Sequence, residues 1–206
     1  MKAIIISVKP QWVEKILNGE KTIEIRKTMP KCELPCKVYI YCTQAKPYLY
    51  RLDDDDNFEL TNNLRPHEDC FVKDYNALNG KIVAEFTLNK IDRCGEAVYD
   101  ANRDLWEDWN TLGLNNSCVH PYDLEEYSNG YELYAWYIDN LKIYDKPKEL
   151  SEFKTYCNLV HNKKNVQCFS ILCRFKNECK DHLKPIIRPP QSWCYVEKVE
   201  GKCNNI

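Results

Sequence analysis

The first residues of the chain alternate between short apolar runs and polar turns. Residues 2–9 include a run of three isoleucines and predict a β-strand that ends at Pro10. Proline is favoured in the first turn of a helix, and the segment after it predicts one. Four apolar residues there share a helical face: Trp12, Val13, Ile16 and Leu17. Asn18-Gly19 then supplies a left-handed helix stop, so the chain begins with strand, short helix and turn.

Beyond this point the apolar pattern predicts mostly strands. Strands are expected at 37–43, at 80–94 (one strand, or a strand with a bend) and within 188–199. The stretch 131–150 predicts a strand, a turn and a second extended piece that is closed by Pro147. Helices are expected at 101–114 and 123–131. Many strands, few helices and apolar first and last strands predict an α+β fold built on a small mixed β-barrel with flanking helices.

The length of 206 residues suits one domain with elaborations, spanning 1–206. Three insertions are expected in it. The first, at about 48–79, is an acidic loop that includes Asp53–Asp56. The second, at about 95–130, is helical, and the third, at about 151–184, is rich in cysteine.

Composition narrows the possible partners. A hydrophobic fraction of 44% with 29% charged residues fits a globular protein, and a net charge of -2 means that nucleic acid would need a local basic patch. No apolar run is long enough to cross a bilayer and no signal peptide is recognised, so we expect a cytoplasmic protein with no membrane partner. Phosphate-binding loops and dinucleotide-fold signatures are absent, so no dinucleotide cofactor is expected.

The segment 21–27 carries more charge than an ordinary strand. Because side chains alternate along a strand, Ile23 and Ile25 share one face, and Glu24 and Arg26 share the other. Two interpretations are open. The charged face is a solvent-exposed surface with an ordinary ion pair, or it lines a cleft in which Arg26 holds an anion and Lys21 acts as a cation, nucleophile or base.

The same segment resembles the N-terminal signature of ASCH-domain proteins, a PUA-like β-barrel family. The family motif is Gly-x-Lys-x-x-Glu-x-Arg, and it is matched here by Gly19, Lys21, Glu24 and Arg26. The stretch GKIVAEF at 80–86 is similar to the next barrel strand of the family. PPQSWCYV at 189–196 resembles the closing strand of its phage and bacterial members. The resemblance implies a PUA-like barrel with a cleft lined by the motif.

The resemblance also implies a function in that cleft. Relatives with this barrel bind RNA or modified bases, so the leading expectation is binding of RNA or a modified nucleoside. Some small members are similar to amidohydrolases that act on N4-acetylcytidine with a lysine at the position of Lys21, and others look like ribonucleases. A hydrolase that uses Lys21 is therefore an alternative, and a protein-interaction scaffold is a third.

The expected site combines catalytic and ligand-binding residues. In a hydrolase Lys21 would activate the attack, Arg26 would steady developing negative charge, and Glu24 or Glu85 would move the proton. In a binding module an aromatic side chain would stack on a base and polar groups would read its edge. The ligand-binding candidates are Arg26, Glu85, Tyr41, Gln191, Ser192 and Trp193. Glu85 could equally face solvent, and for Trp193 a place in the barrel core is the preferred interpretation.

The cysteine-rich segment favours a structural zinc site, the one cofactor expected. Its candidate thiolate ligands are Cys157, Cys168, Cys173 and Cys179, with His161 and His182 close by. The alternative is that these cysteines are small buried apolar residues, since their spacing is irregular. Cys32 and Cys36 are weaker metal candidates. Cys42, Cys94 and Cys194 fall in or beside expected strands and are interpreted as core.

Overall fold

The structure is a computed structural model that describes residues 2–44, 48–52, 58–61, 70–73, 78–96, 114–156 and 183–197. These residues form two α-helices and a set of strands. The helices are α1 (Pro10–Leu17) and α2 (Pro121–Ser128). The strands are β1 (Lys2–Val8), β2 (Ile23–Arg26), β3 (Cys36–Cys42), β4 (Tyr48–Leu52), β5 (Phe58–Thr61), β6 (Cys70–Lys73), β7 (Lys81–Leu88), β8 (Ile91–Glu96), β9 (Glu132–Tyr137), β10 (Asp139–Glu149), β11 (Lys154–Tyr156), β12 (Leu183–Pro185) and β13 (Trp193–Glu197). Two 3-10 turns lie at Leu114–Ser117 and Leu150–Glu152.

Three sheets contain these strands. The largest has seven strands in the order β10-β7-β3-β1-β13-β11-β12, in which β1 and β3 are parallel and the other pairs antiparallel. A second sheet has the order β2-β9-β8, and a third the order β5-β4-β6. The predicted sheet-rich α+β architecture is therefore what the described residues form.

Strand β1 is central because both of its faces are buried. Ile4 and Ile6 belong to one apolar cluster, which also contains Val13 of α1 and Trp136 of β9. Ala3 and Ile5 belong to a second cluster on the opposite face of the large sheet. A strand buried on both faces reads as a continuous apolar run, and each fully buried isoleucine contributes about 1.5–3 kcal/mol.

Strand β2 is also buried on both faces, but by different chemistry. Ile23 and Ile25 pack in a third cluster with Leu114 of the 3-10 turn and Leu124 of α2. Glu24 and Arg26 occupy the other face and are each 7% exposed. The predicted alternation is confirmed, whereas the interpretation of this face as a solvent-exposed surface is wrong, because other elements cover it.

Several predicted boundaries change in the structure. The strand expected at 80–94 is divided into β7 and β8 by Asn89-Lys90. Strand β10 continues two residues past Pro147, which is tolerated because β10 is an edge strand with an irregular register there. The helix expected at 123–131 is α2. The segment expected to be an acidic loop includes β4, β5 and β6.

Two expectations fall outside the described residues. The helix at 101–114 is one, since only Leu114, in a 3-10 turn, belongs to the described part of the chain. The four candidate zinc ligands Cys157, Cys168, Cys173 and Cys179 are the other. The cysteines placed in the core pack as expected: Cys42 is fully buried, and Cys94 and Cys194 lie against apolar clusters.

Candidate ligand site

The turn after α1 places the charged face of β2. Gly19 has φ +79°, a conformation that favours glycine, and its N–H donates to the carbonyl of Ile16. The backbone N–H of Lys21 then donates to the carbonyl of Lys15 over 3.0 Å. On the other side, the N–H of Thr22 donates to the carbonyl of Asn116 over 2.9 Å. The start of β2 is therefore held between the end of α1 and the 3-10 turn at Leu114–Ser117.

Lys21 is buried, with 2% of the residue exposed. Its Nζ donates a hydrogen bond to the backbone carbonyl of Ser117 and lies 3.3 Å from Oε2 of Glu24. The same ammonium lies 5.3 Å from the centre of the Trp12 ring, within cation–π distance. A buried lysine needs such partners because desolvation penalises its charge. The side chain is thus held in one position in the wall of the site.

Glu24 is shared between two cations. Its Oε1 lies 3.0 Å from an Nη of Arg26, and its Oε2 lies 3.3 Å from Nζ of Lys21. Arg26 extends this chain to the large sheet: Nη2 donates to the carbonyl of Ser7 over 2.6 Å, and Nη1 lies 3.5 Å from Oγ of Ser192. Two cations and one carboxylate leave one net positive charge on the motif.

Two buried atoms of this motif have no hydrogen-bond partner among the described residues. They are Oε2 of Glu24, whose contact with Lys21 is close but not directed as a hydrogen bond, and Nε of Arg26. Buried polar atoms are nearly always hydrogen-bonded, and leaving one unpaired costs about 1–3 kcal/mol. One unpaired acceptor and one unpaired donor therefore belong to neighbouring residues of the same site.

A cavity of about 410 Å³ adjoins these residues. Its lining includes Lys21, Glu24 and Arg26, together with Ser7 of β1 and residues of both helices. The helices contribute Trp12 of α1 and Tyr127 of α2, which supply aromatic surface. Volumes of about 300–1,000 Å³ are typical of small-molecule sites. The motif thus lies in a cavity with both polar and aromatic walls.

Tyr127 faces the charged residues. Burial raises the pKa of its phenol, the Arg26 guanidinium opposes this shift, and the Glu24 carboxylate adds to it. The Nζ of Lys27 lies 5.0 Å from the centre of the Tyr127 ring. A phenol is protonated at neutral pH even at its ordinary pKa, so Tyr127 has a hydroxyl that is able to donate a hydrogen bond.

Glu85 and Tyr41 lie elsewhere. Glu85 accepts from Nζ of Lys37 over 2.6 Å and from the hydroxyl of Tyr144, so it joins β7 to β3 and β10 and does not line the cavity. Tyr41 is buried in the cluster on the opposite face of the large sheet. Burial, followed by the neighbouring Cys42, raises the pKa of Tyr41.

The three candidates before and in β13 have different positions. Ser192 reaches the site, since its Oγ approaches Arg26 and its carbonyl accepts from the N–H of Ser7 over 2.8 Å. Gln191 is exposed and does not line the cavity. Trp193 packs against Trp136 and Tyr195, and its Nε1 donates to Oγ1 of Thr28 over 2.9 Å. Trp193 lines a second, neighbouring cavity.

Sequence reasoning missed Ser7, Ser117 and Tyr127. Ser7 does have a signal, since it is the polar residue in the apolar strand β1. Ser117 contacts Lys21 through its backbone carbonyl, so its side chain gives no signal. Tyr127 lies in a helix of low apolar periodicity, and only the packing of α2 on β2 brings it to the cavity.

Comparison with known proteins identifies the fold. No family model matches the sequence, and no curated protein matches it. Among solved structures, ASCH from Zymomonas mobilis superposes with a TM-score of 0.50 at 15% identity, over 95% of this chain and 88% of that one. A tyrosine-to-phenylalanine mutant of the same protein gives a TM-score of 0.50 at 14% identity, over 96% of this chain and 92% of that one.

The chain has the ASCH fold. The likeness covers nearly the whole chain, and at this level of identity it shows the fold alone. Lys21, Glu24 and Arg26, three of the four residues that carry the sequence resemblance, line the cavity, whereas Gly19 shapes the turn before them. Within the described ranges, no group of three potential metal ligands is found, and no helix is long and apolar enough to cross a membrane.

Proposed function

We propose that the protein binds RNA by holding one nucleoside, modified bases included, in the cavity beside Lys21, Glu24 and Arg26. One observation carries this proposal: Lys21, Glu24 and Arg26 line one cavity of about 410 Å³ together with the aromatic side chains of Trp12 and Tyr127. A carboxylate accepts hydrogen bonds and a guanidinium donates them, so this wall suits a ligand that presents a donor and an acceptor on one edge.

Nucleobase edges have this chemistry. Cytosine and adenine each present an amino donor next to a ring-nitrogen acceptor, and carboxylates accept well from the cytosine amino group. Arginine is a suitable partner for the acceptor because all of its nitrogens donate. An acyl group on the cytosine amino nitrogen leaves one N–H in place, so an acylated cytidine keeps the same donor.

The walls of the cavity favour a flat ring. Trp12 and Tyr127 both line it, and bases that are read by proteins in single-stranded RNA commonly stack on aromatic side chains. Tyr127 is 41% exposed, so its ring is accessible to a ligand. The net positive charge of the motif suits the phosphate attached to the base. The ASCH fold supports this assignment. The sequence resemblance, which is to ASCH proteins of the phage or bacterial type, leads to the same expectation of RNA or nucleoside binding.

The decisive experiment compares two tyrosines of α2. Tyr127 lines the cavity, whereas Tyr122 does not line it and is 56% exposed. We expect Tyr127→Ala to weaken binding of short single-stranded RNA, and of cytidine or N4-acetylcytidine, by about tenfold or more, because stacking on one aromatic ring contributes about 1–3 kcal/mol. Tyr122→Ala should leave both affinities unchanged. Fluorescence anisotropy and titration calorimetry provide the measurements.

Equal affinities for the two variants would contradict the proposed site. If the wild-type protein bound none of these probes, the proposal would be wrong as a whole, and the protein-interaction scaffold would be favoured.

Hydrolysis is the second candidate, and the contact between Lys21 and Glu24 favours it. A lysine and a carboxylate 3.3 Å apart at a cavity wall place an amine and a proton acceptor beside a bound substrate. In that reaction Lys21 would activate the attack on an amide or phosphodiester, and Arg26 would stabilise the negative charge that develops. An amidohydrolase would act on acylated nucleosides, and a ribonuclease on RNA.

Lys21→Met tests this reaction, since methionine has a similar length and lacks the charge. The wild-type protein is incubated with N4-acetylcytidine and with short RNA, and products are separated by chromatography. We expect turnover by the wild type and at least about a hundredfold loss in the variant, the scale of a general acid–base contribution. No turnover by the wild type excludes the hydrolase, and turnover unaffected by the substitution excludes Lys21 as the catalytic residue.

A further inference from the structure

A second cavity, of about 540 Å³, lies next to the last described strand. Its lining combines positive charge with aromatic surface. The cations are Lys2 of β1, Lys184 of β12 and Arg188. The aromatic side chains are Trp193 and Tyr195 of β13. Nothing in the proposed function so far uses this cavity.

Two of these cations have no carboxylate partner among the described residues. Within the part of the chain that the structure describes, the lining contains no acidic residue, and neither Lys184 nor Arg188 makes an ion pair. Arg188 is exposed and Lys184 is half-buried. On a chain of net charge -2, such a concave patch is a local site of positive potential.

Residues 190–193 include groups that line the second cavity and groups that contact residues of the first. Pro190 lines the second cavity, and its carbonyl accepts a 2.6 Å hydrogen bond from Oγ of Ser7, which lines the first. Two residues later, Oγ of Ser192 lies 3.5 Å from Arg26 of the first cavity. Trp193 then lines the second cavity. Groups that line or contact both cavities are therefore found within four consecutive residues.

We propose that the second cavity binds a phosphate group of the RNA strand whose nucleoside occupies the first cavity. Arg188 and Lys184 supply the charge-assisted hydrogen bonds that phosphate oxygens favour, and the aromatic side chains supply surface for a neighbouring base. This inference rests on the proposed function of the first cavity. It makes the preferred ligand an oligonucleotide, with a free nucleoside bound more weakly.

The test removes the two charges and compares the result with an equal reduction of charge elsewhere. The variant is Lys184→Gln/Arg188→Gln, at the β12 side of the large sheet. The control is Lys142→Gln/Lys146→Gln, on exposed residues of β10, the opposite edge of the same sheet. Binding of short single-stranded RNA and of cytidine is measured at about 50 and about 200 mM salt, the range over which binding to phosphates weakens strongly. Thermal unfolding shows whether each variant is folded.

We expect the second-cavity variant to bind RNA about tenfold more weakly at the lower salt concentration. The slope of log affinity against log salt should become shallower by about 0.7 for each phosphate group that the variant no longer binds. Affinity for cytidine should not change, and the control should keep the wild-type slope. Equal RNA affinities and slopes for the two double variants would overturn the proposal, as would an equal reduction of cytidine binding.

The result separates this inference from the proposed function. If Tyr127→Ala weakens RNA binding but the second-cavity variant does not, the first cavity stands and the phosphate site is wrong. If the second-cavity variant weakens RNA binding but Tyr127→Ala leaves RNA and cytidine binding unchanged, RNA binds at the cations without a nucleoside in the first cavity. That result overturns both the proposal that one RNA strand occupies the two cavities and the proposed function of the first cavity. Wild-type protein that binds no RNA also overturns both.

Discussion

Glu24 connects the two cations of the motif, and this makes it the residue on which the charge balance of the site depends. Lys21, Glu24 and Arg26 are all at least nine-tenths buried, so hydration by solvent stabilises their charges only weakly. Removing one partner from a buried ion pair is far more costly than removing an exposed one, because the remaining charge is left uncompensated.

Glu24→Gln tests this dependence. We expect the free energy of unfolding to fall by about 3 kcal/mol, because two buried cations would then face each other without a carboxylate. The matched control is Glu20→Gln, whose exposed pair with Lys15 contributes about 1 kcal/mol or less. Urea unfolding followed by circular dichroism measures both. If the decrease for Glu24→Gln were no larger than that of the control, the charges of Lys21 and Arg26 would not depend on Glu24 for compensation.

The residue identities of the site follow from the sequence, but their environment does not. Alternation along β2 predicts that Glu24 and Arg26 share a face, and the structure confirms it. Whether that face is exposed depends on Ser7 and Ser192, which lie 19 and 166 residues from Arg26. Local periodicity carries no information about contacts at such separations.

At the scale of elements, the turn between α1 and β2 brings Lys21 into position. Gly19 has a positive φ, and a Cβ added there would meet no atom within 4 Å. Position 19 therefore favours glycine because of its backbone conformation, and not because a larger side chain would clash. The neighbouring backbone contacts of Lys21 and Thr22 depend on this turn.

Gly19→Ala is expected to lower the free energy of unfolding by about 1 kcal/mol, because alanine disfavours the left-handed conformation. Gly19→Asn should be less destabilising, since asparagine enters that conformation more readily. Chemical unfolding of the two variants provides the comparison. A larger decrease for asparagine than for alanine would show that a contact, and not the positive φ, determines the choice of residue.

Glu85 joins three strands of the large sheet. Burial raises the pKa of its carboxyl, but hydrogen bonds from Lys37 and Tyr144 outweigh burial and hold the pKa below the ordinary value of 4.5. A carboxyl with a lowered native pKa stabilises the fold above its unfolded pKa, and this contribution is lost as the pH falls through the native pKa.

Glu85→Gln should therefore be less stable than the wild type by about 1 kcal/mol at neutral pH. The difference should shrink as the pH falls below about 4.5, because the wild-type carboxyl becomes protonated. Unfolding curves recorded from about pH 7 to about pH 3 measure the difference. A gap between the two proteins that stays constant with pH would contradict the assigned role of the charge.

At the scale of the whole molecule, the chain combines an ASCH fold with a segment at about 151–184 whose sequence predicts a structural zinc site. The four cysteines proposed as ligands lie outside the described residues, so the zinc site stays a prediction from composition and spacing. It is tested on the full chain.

We expect elemental analysis of the purified protein to find about one zinc per chain, and a chelator to lower the Tm, because structural zinc contributes directly to folding. Cys168→Ser/Cys173→Ser should lose the metal, whereas Cys118→Ser, a half-buried cysteine near the 3-10 turn, should keep it. Metal-free protein with an unchanged Tm after chelation would exclude the site.

The sequence by itself determined the order of the first elements, the alternation of β2 and the motif that predicts the ASCH fold. These features depend on residues close together along the chain: the isoleucines of β1, the apolar face of α1 and the glycine that ends it. The tertiary structure decided that the charged face of β2 is buried and that Tyr127 belongs to the site. It also placed Glu85 in a separate cluster and a second, basic cavity beside the first. Each of these depends on pairing between distant segments, such as β1 with β13, which a local pattern does not specify.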